Sequence, residues 1–176
     1  MSYDLTKYHE EKPHRMKRII WALVNATLFR LACRYGRVGM LRLFGAKIGR
    51  KCLIYRSVKV FAPWNLEMGD AVCIGPRVEL YSKDKIVLGS QITISQDVYI
   101  CTAGHDIKSE VFALKTAPVK IGDRCWVAAR AAVLPGVTLG EGCVVGACAV
   151  AAKSFPKNSV IVGNPGQVIK QRDEAK

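Results

Sequence analysis

The sequence has no long hydrophobic run. Its longest uncharged apolar stretch is eleven residues, 19–29, between Arg18 and Arg30. That is about half of the roughly 20 residues needed to cross a bilayer, so a membrane-spanning helix is excluded there. A secretory leader is not expected, because residues 1–11 are polar and carry Asp4, Glu10 and Glu11. Zinc-type CxxC pairs are missing among the seven cysteines at positions 33, 52, 73, 101, 125, 143 and 148. The odd count and the spacing point to reduced, small core residues in a cytoplasmic protein. Histidine is scarce, with only His9, His14 and His105. Acid is absent from residues 12–66, where thirteen Lys and Arg stand without one Asp or Glu.

That last absence accounts for the whole net charge of +13, since the remaining fourteen basic residues are matched by fourteen acidic ones. Such a field suits an anionic partner, whether phosphate, acidic lipid or nucleic acid; a solvated basic face is the plainer alternative. No RNA- or DNA-reading motif accompanies it, so no nucleic acid is expected. With 176 residues, half of them apolar and 23% charged, the chain suits one globular domain and a small extra element.

Residues 1–13 read as a loose polar arm, and Pro13 is placed to open a helix. The pattern predicts a helix over 15–35 stopped by Gly36, then a short helical piece over 38–44 ended by Gly45. The first helix is apolar nearly all round and must be covered. It packs on the main domain or a neighbouring subunit, or it lies in a membrane interface with Arg30, Arg34 and Arg37 on one face.

From Ile48 onward the sequence repeats with a step of six. The clean series is Ile121-Gly122, Val127-Ala128, Val133-Leu134, Leu139-Gly140 and Val145-Gly146, preceded by Ile48, Ile54, Met68, Ile74, Leu88, Ile94 and Ile100. A strand has period two and a helix 3.6, so neither gives this step. Three six-residue strands make one triangular coil with the aliphatic residue pointing inward. The residue four places later must fit inside a corner; Cys52, Val58, Val72, Val78, Ile92, Val98, Cys125, Ala131, Val137, Cys143 and Ala149 hold those places. The turn positions are expected to use glycine or small side chains to bend the backbone. The fold class is therefore an all-β solenoid with an N-terminal α-helical segment. Its parts are a basic helical arm over 1–45, coils over 46–152 and a cap over 153–176. The register slips at 60–68, 80–88 and 100–121, and the last slip marks a long loop over 104–118.

His105 stands where that loop leaves the coil. Imidazole titrates near neutrality, which suits a general base. With His105 come the segments Cys101-Thr102-Ala103-Gly104-His105-Asp106, Pro63-Trp64-Asn65-Leu66-Glu67-Met68-Gly69-Asp70, Pro118-Val119-Lys120-Ile121-Gly122-Asp123, Leu134-Pro135-Gly136-Val137 and Val162-Gly163-Asn164-Pro165. On these, residues 15–172 resemble the hexapeptide-repeat O-acetyltransferases, and most closely the colanic acid biosynthesis acetyltransferase group. The resemblance implies a left-handed parallel β-helix, a homotrimer with sites between subunits, and acetyl-coenzyme A as co-substrate without a metal. It implies His105 as the catalytic base, with Asp106 or a loop carbonyl fixing its other ring nitrogen. For the coenzyme it implies Trp126, the backbone at Ala129 and Ala147, the pair Ala152 and Lys153, then Gln167 and Lys170. Ala152 stands where the family carries Thr, and Gln167 where close relatives often carry Arg. For the acceptor sugar it points loosely to Tyr81, Ser82 and Asp84.

The implied reaction transfers acetyl directly to a sugar hydroxyl, in exopolysaccharide or surface-glycan biosynthesis. The expected location is cytoplasmic, peripheral at the inner face of the membrane if the basic segment attaches there. Gamma-type carbonic anhydrases share the repeat but need three histidines on zinc, and only one usable histidine is present. A non-catalytic trimeric scaffold, or a binder of anionic lipid or nucleic acid, are the alternatives from other classes.

Overall fold

The step of six becomes a three-faced coil. The computed structural model describes residue 6 and residues 14–173; the arm with His9, Lys12 and Pro13 lies outside them. Face 1 stacks Lys47–Ile48, Leu66–Met68, Ile86–Leu88, Val119–Ile121 and Thr138–Leu139. Face 2 stacks Leu53–Ile54, Cys73–Ile74, Thr93–Ile94, Trp126–Val127, Val144–Val145 and Ser159–Val162, closed by the antiparallel strand Gln167–Gln171. Face 3 stacks Lys59–Val60, Glu79–Tyr81, Tyr99–Cys101, Ala132–Val133 and Val150–Ala151. The coil strands pair in parallel, as in Ile48↔Met68 and Trp126↔Val144, and the whole is a left-handed parallel β-helix. Every inward aliphatic and every small corner residue of the repeat is buried.

The glycines serve another purpose than the one expected of them. Most left-handed corner residues are not glycine: Lys51, Ala71, Gln91, Arg124 and Asn158 hold one corner, and Arg77, Asp97, Arg130 and Cys148 the next, all with φ of 56–61°. The glycines just after the inward aliphatics are instead pressed by the next coil. A Cβ on Gly122 would stand 2.7 Å from the Glu141 nitrogen, and one on Gly140 2.5 Å from that of Lys157. Coil-to-coil approach, rather than dihedral freedom, selects glycine here.

The slips at 60–68 and 80–88 come from a wider third corner. Ile48 lies opposite Met68 and Met68 opposite Leu88, giving coils of twenty residues, whereas Ile121 and Leu139 are eighteen apart. The extra residues are held by a ladder of buried hydroxyls. Ser82 Oγ accepts from the Ala62 nitrogen and donates to the Ala62 carbonyl, both at 3.0 Å. Thr102 Oγ1 donates to the Tyr81 carbonyl at 2.8 Å and accepts from the Asp84 nitrogen at 2.9 Å.

The N-terminal segment is three helices, not one: α1 (Arg15–Ala26), α2 (Leu28–Leu31) and α3 (Arg34–Leu43). Gly36 does not stop a helix; it lies inside α3, with space for a Cβ only 3.3 Å from Ala32 Cβ. The breaks turn Trp21 and Phe29 onto one core, rings 5.7 Å apart, with Phe44 5.0 Å from Trp21. Thr27 Oγ1 bonds back to the Leu23 carbonyl at the first break, a geometry that bends helices. Trp21 Nε1 donates to the Val60 carbonyl at 2.7 Å, and Trp21, Phe29 and Leu41 are buried against the first coil. These breaks also remove the single face expected for Arg30, Arg34 and Arg37. Arg37 is turned inward, where its Nε donates to the Ile54 carbonyl at 2.7 Å; burial lowers its pKa.

The basic first third is partly neutralised by the second coil. Lys47 pairs with Glu67 at 3.0 Å, Arg50 with Asp70 at 3.8 Å and Lys59 with Glu79 at 3.6 Å. Arg42 spends its guanidinium on the Ile48 and Gly49 carbonyls. The cysteines are all free thiols. Cys52, Cys101, Cys125 and Cys143 are buried as small core residues, but Cys33 and Cys148 are exposed, contrary to a uniform core role. The neighbouring Cys143 sulfur and burial push the Cys125 thiol up, which suits inert packing.

Candidate active site

The third coil leaves its wide corner as a hairpin. Residues 104–118 are not an irregular loop: Ala103–His105 pairs antiparallel with Leu114–Thr116, His105 opposite Leu114. The hairpin is rooted on the hydroxyl ladder, since the Ala117 nitrogen donates to the Thr102 carbonyl at 3.0 Å. His105 is thus carried on paired backbone outside the stacked coils, with its side chain exposed.

Phe112 orients the imidazole. Its ring lies parallel to that of His105, with centroids 4.4 Å apart and 7° between planes. Its carbonyl is 2.8 Å from His105 Nδ1. A carbonyl can only accept, so Nδ1 carries the proton and Nε2 the basic lone pair. A loop carbonyl, not Asp106, therefore fixes the ring. Asp106 orders the hairpin instead. Its carboxylate meets Lys115 Nζ at 2.8 Å and accepts the Lys108 N–H at 3.0 Å. The Asp106 nitrogen donates to the Ala113 carbonyl at 2.8 Å.

The Lys115 ammonium holds the Asp106 carboxyl below its usual range, helped by the Lys108 N–H. A depressed carboxylate stabilises the folded form above its unfolded pKa, and that contribution disappears as pH falls through the lower folded value. Amide-exchange protection across residues 103–116 is accordingly expected to weaken only below about pH 4, the ordinary carboxylate range. With Lys115→Met the loss should begin at higher pH, read by carboxyl NMR titration and amide exchange; an unchanged Asp106 titration would dissociate the pair.

The column below the hairpin root holds the stretch expected to meet the acceptor. Tyr81 is the register partner of Cys101. Its ring lies 4.9 Å from Phe61 and 6.4 Å from Tyr99, and burial raises the Tyr99 hydroxyl pKa. Asp84 is half-buried, its nitrogen on Thr102. Ser82 is a correction: its side chain is fully buried and committed to Ala62 on both sides, so it builds the corner and does not face an acceptor. The aromatic ladder of Phe61, Tyr81 and Tyr99 was not foreseen as a unit, because its members meet only through the twenty-residue coil.

Residues expected to meet the coenzyme lie elsewhere. Trp126 points outward from face 2, 48% exposed, its Nε1 donating to Ser95 Oγ at 3.0 Å. Ala129 and Ala147 occupy successive turns of the corner between faces 2 and 3, where the Cys148 nitrogen donates to the Ala129 carbonyl at 3.0 Å. Ala152 is exposed just past face 3. Lys153 reaches Gln167, with Nζ 3.4 Å from Oε1, and Lys170 lies opposite Val160 on the closing strand. Face 2 is the side of the triangle opposite the corner that releases the hairpin. One chain therefore keeps His105 and Trp126 apart. Sequence reasoning had no signal for Phe112, which reaches His105 only through the register of the hairpin.

Known proteins carry the same features. The family profile described as bacterial transferase hexapeptide (six repeats) matches residues 118–153. The Escherichia coli (strain K12) protein assigned as colanic acid biosynthesis acetyltransferase WcaF is 44% identical over 179 residues, covering 97% of this chain and 98% of its own length. A maltose O-acetyltransferase from Clostridium difficile 630 is 26% identical, with a TM-score of 0.78 over 95% of this chain and 92% of that one. At 18% identity, the hexapeptide-repeat acetyltransferase VCA0836 of Vibrio cholerae, solved with acetyl-coenzyme A, shares the fold, with a TM-score of 0.85 over 97% of this chain and 96% of that one. Identity that runs the full length of WcaF, through the helices, the coils and the histidine hairpin alike, makes this chain a member of the hexapeptide-repeat acetyltransferase family, in its colanic acid biosynthesis group.

Proposed function

We propose that the protein is a homotrimeric, acetyl-coenzyme A-dependent O-acetyltransferase. It acts on a sugar hydroxyl in exopolysaccharide or surface-glycan biosynthesis, in the cytoplasm at the inner face of the membrane. The observation that carries this reading is the fixed imidazole, whose Nδ1 faces the Phe112 carbonyl at 2.8 Å and whose Nε2 bears the lone pair. Nε2 takes the proton of the acceptor hydroxyl, and the oxygen attacks the thioester carbonyl carbon. Backbone N–H groups stabilise the tetrahedral oxyanion. Collapse breaks the C–S bond, and the imidazolium returns its proton to the sulfur, giving the acetyl ester and free coenzyme A.

Separation of His105 and Trp126 within a chain supports a site shared between copies. The outward surfaces agree with that. Face 2 presents Leu53, Cys73, Trp126, Val144 and Val160 in register, an apolar strip suited to a neighbour. Face 1 presents Lys47, Glu67 and Lys120, which suit water. Trp126 and the turns at Ala129 and Ala147 then meet the coenzyme from one copy, Lys153, Gln167 and Lys170 supply polar groups for its phosphates, and Tyr81 and Asp84 meet the acceptor beside His105.

The protein should sediment at about 58 kDa, three times its 19.4 kDa. Acetyl-coenzyme A at 100 times its Kd should add about 2.7 kcal/mol of stability, seen as a rise in melting temperature. Thiol release with a panel of sugars then identifies the acceptor. A monodisperse monomer, or no thermal response to the coenzyme, would refute this reading.

A further inference from the structure

The helix α1 has two apolar faces, and only one is used. Trp21 is buried on the coil side. On the other side Met16, Ile19, Ile20 and Leu23 are 70%, 48%, 48% and 65% exposed. Their spacing of i, i+3, i+4 and i+7 makes one continuous outward stripe. The following helices leave Leu31, Tyr35 and Leu43 still more open, at 85%, 76% and 82%. Among the described residues no helix is long and apolar enough to cross a membrane, so the stripe is a surface feature.

Charge selects its occupant. Cations of the first coil are paired with acids of the second, but α1 itself contains Arg15, Lys17 and Arg18 and no acid. Arg15 and Arg18 line a groove of about 440 Å³ between α1 and the first coil, together with Ile19, Ala22 and Phe61. The Arg18 guanidinium lies 5.3 Å over the Phe61 ring, and Lys17 Nζ 4.9 Å over Trp64. An apolar stripe rimmed only by cations matches the boundary between acyl chains and anionic headgroups.

We propose that the outer face of α1 docks the protein onto an anionic phospholipid surface, apolar stripe down, with Arg15 and Arg18 on lipid phosphates. This deepens the peripheral location proposed above and rests on it. The geometry also sets the height of the site. The hairpin leaves the third strand of face 3, two strand spacings or about 10 Å above the first coil. With a helix of about 10 Å beneath, His105 stands on the order of 20 Å from the surface. A hydroxyl that reaches it there belongs to a glycan extending from the membrane, not to a lipid headgroup.

Co-sedimentation with vesicles tests this on the full chain. Wild type should bind vesicles of phosphatidylcholine with 30% phosphatidylglycerol at low salt and leave them at high salt, because screening shortens the reach of the field. Ile20→Ser with Leu23→Ser should lower the partition coefficient by about tenfold or more. Arg15→Gln with Arg18→Gln should lower it about fivefold per charge. Both pairs should keep the mass of the wild-type oligomer and its thiol release with a soluble sugar, a readout that reports on the acetyltransferase reading separately. Equal binding to pure phosphatidylcholine, no binding at low salt, or indifference to the serine pair overturns the proposal. So does a change in oligomeric mass with the serine pair, which would make the stripe a protein interface.

Discussion

His105→Ala is expected to lower turnover by roughly 10²–10⁴-fold, the usual contribution of one general base. The fold should be untouched. His105 is exposed on a hairpin outside the stacked coils, and no inward position of the repeat depends on it. Melting temperature and oligomeric mass are therefore the controls, and the loss should appear in turnover rather than in coenzyme binding. Phe112→Ala separates orientation from chemistry. The carbonyl at 2.8 Å from Nδ1 belongs to the backbone and survives, while the parallel ring at 4.4 Å is lost. A smaller fall than for His105→Ala is expected, with the pH profile of turnover kept in shape. Near wild-type turnover in His105→Ala would remove this residue from the mechanism.

Trp21→Ala is expected to destabilise the protein by about 3–5 kcal/mol, the range for removing a buried large aromatic. For a chain of this length each kcal/mol corresponds to about 2–4 °C, so the apparent melting temperature should fall by roughly 6–20 °C. The cost has named sources. Trp21 is 2% exposed and packs against Phe29 and Phe44. Its Nε1 satisfies the Val60 carbonyl of the first coil, which the truncation leaves bare. Trp21→Phe keeps the ring contacts and should lose less. A melting temperature near that of wild type would detach the helices from the solenoid core. The same packing makes deletion of residues 1–36 a poor probe of membrane attachment, because it removes Trp21 and Phe29 along with the outer stripe. Substitutions at Ile20 and Leu23 leave that core in place.

The coil was legible because its rule is local. One inward aliphatic every six residues and one small residue four places later occur in the chain as written, and each position from Ile48 to Ala149 that obeyed the rule is buried. The glycines were legible as positions but not as reasons, since the pressure on Gly122 comes from Glu141, a full coil away. The helix over 15–35 failed for a related cause. Nothing in the local pattern says that Trp21 and Phe29 must reach one core, and that demand breaks the helix at Thr27.

At the site, His105 could be singled out by scarcity and by its place at a break in the repeat. Its partner could not. Asp106 was the nearer candidate in sequence, yet it turns to Lys115, and the hairpin register brings Phe112 to the ring. Ser82 looked like a polar group near an acceptor, but the coil places its hydroxyl inside the wall against Ala62, twenty residues back. By itself, then, the sequence determined the solenoid, its inward residues and the one histidine suited to proton transfer, because period and rarity are properties of the chain. The tertiary structure alone decided which nitrogen of His105 is basic, which polar residues are wall rather than site, and that His105 and Trp126 stand on opposite sides of one chain. Those outcomes depend on registers between segments 7 to 33 residues apart, and such registers are set by packing, not by any local pattern.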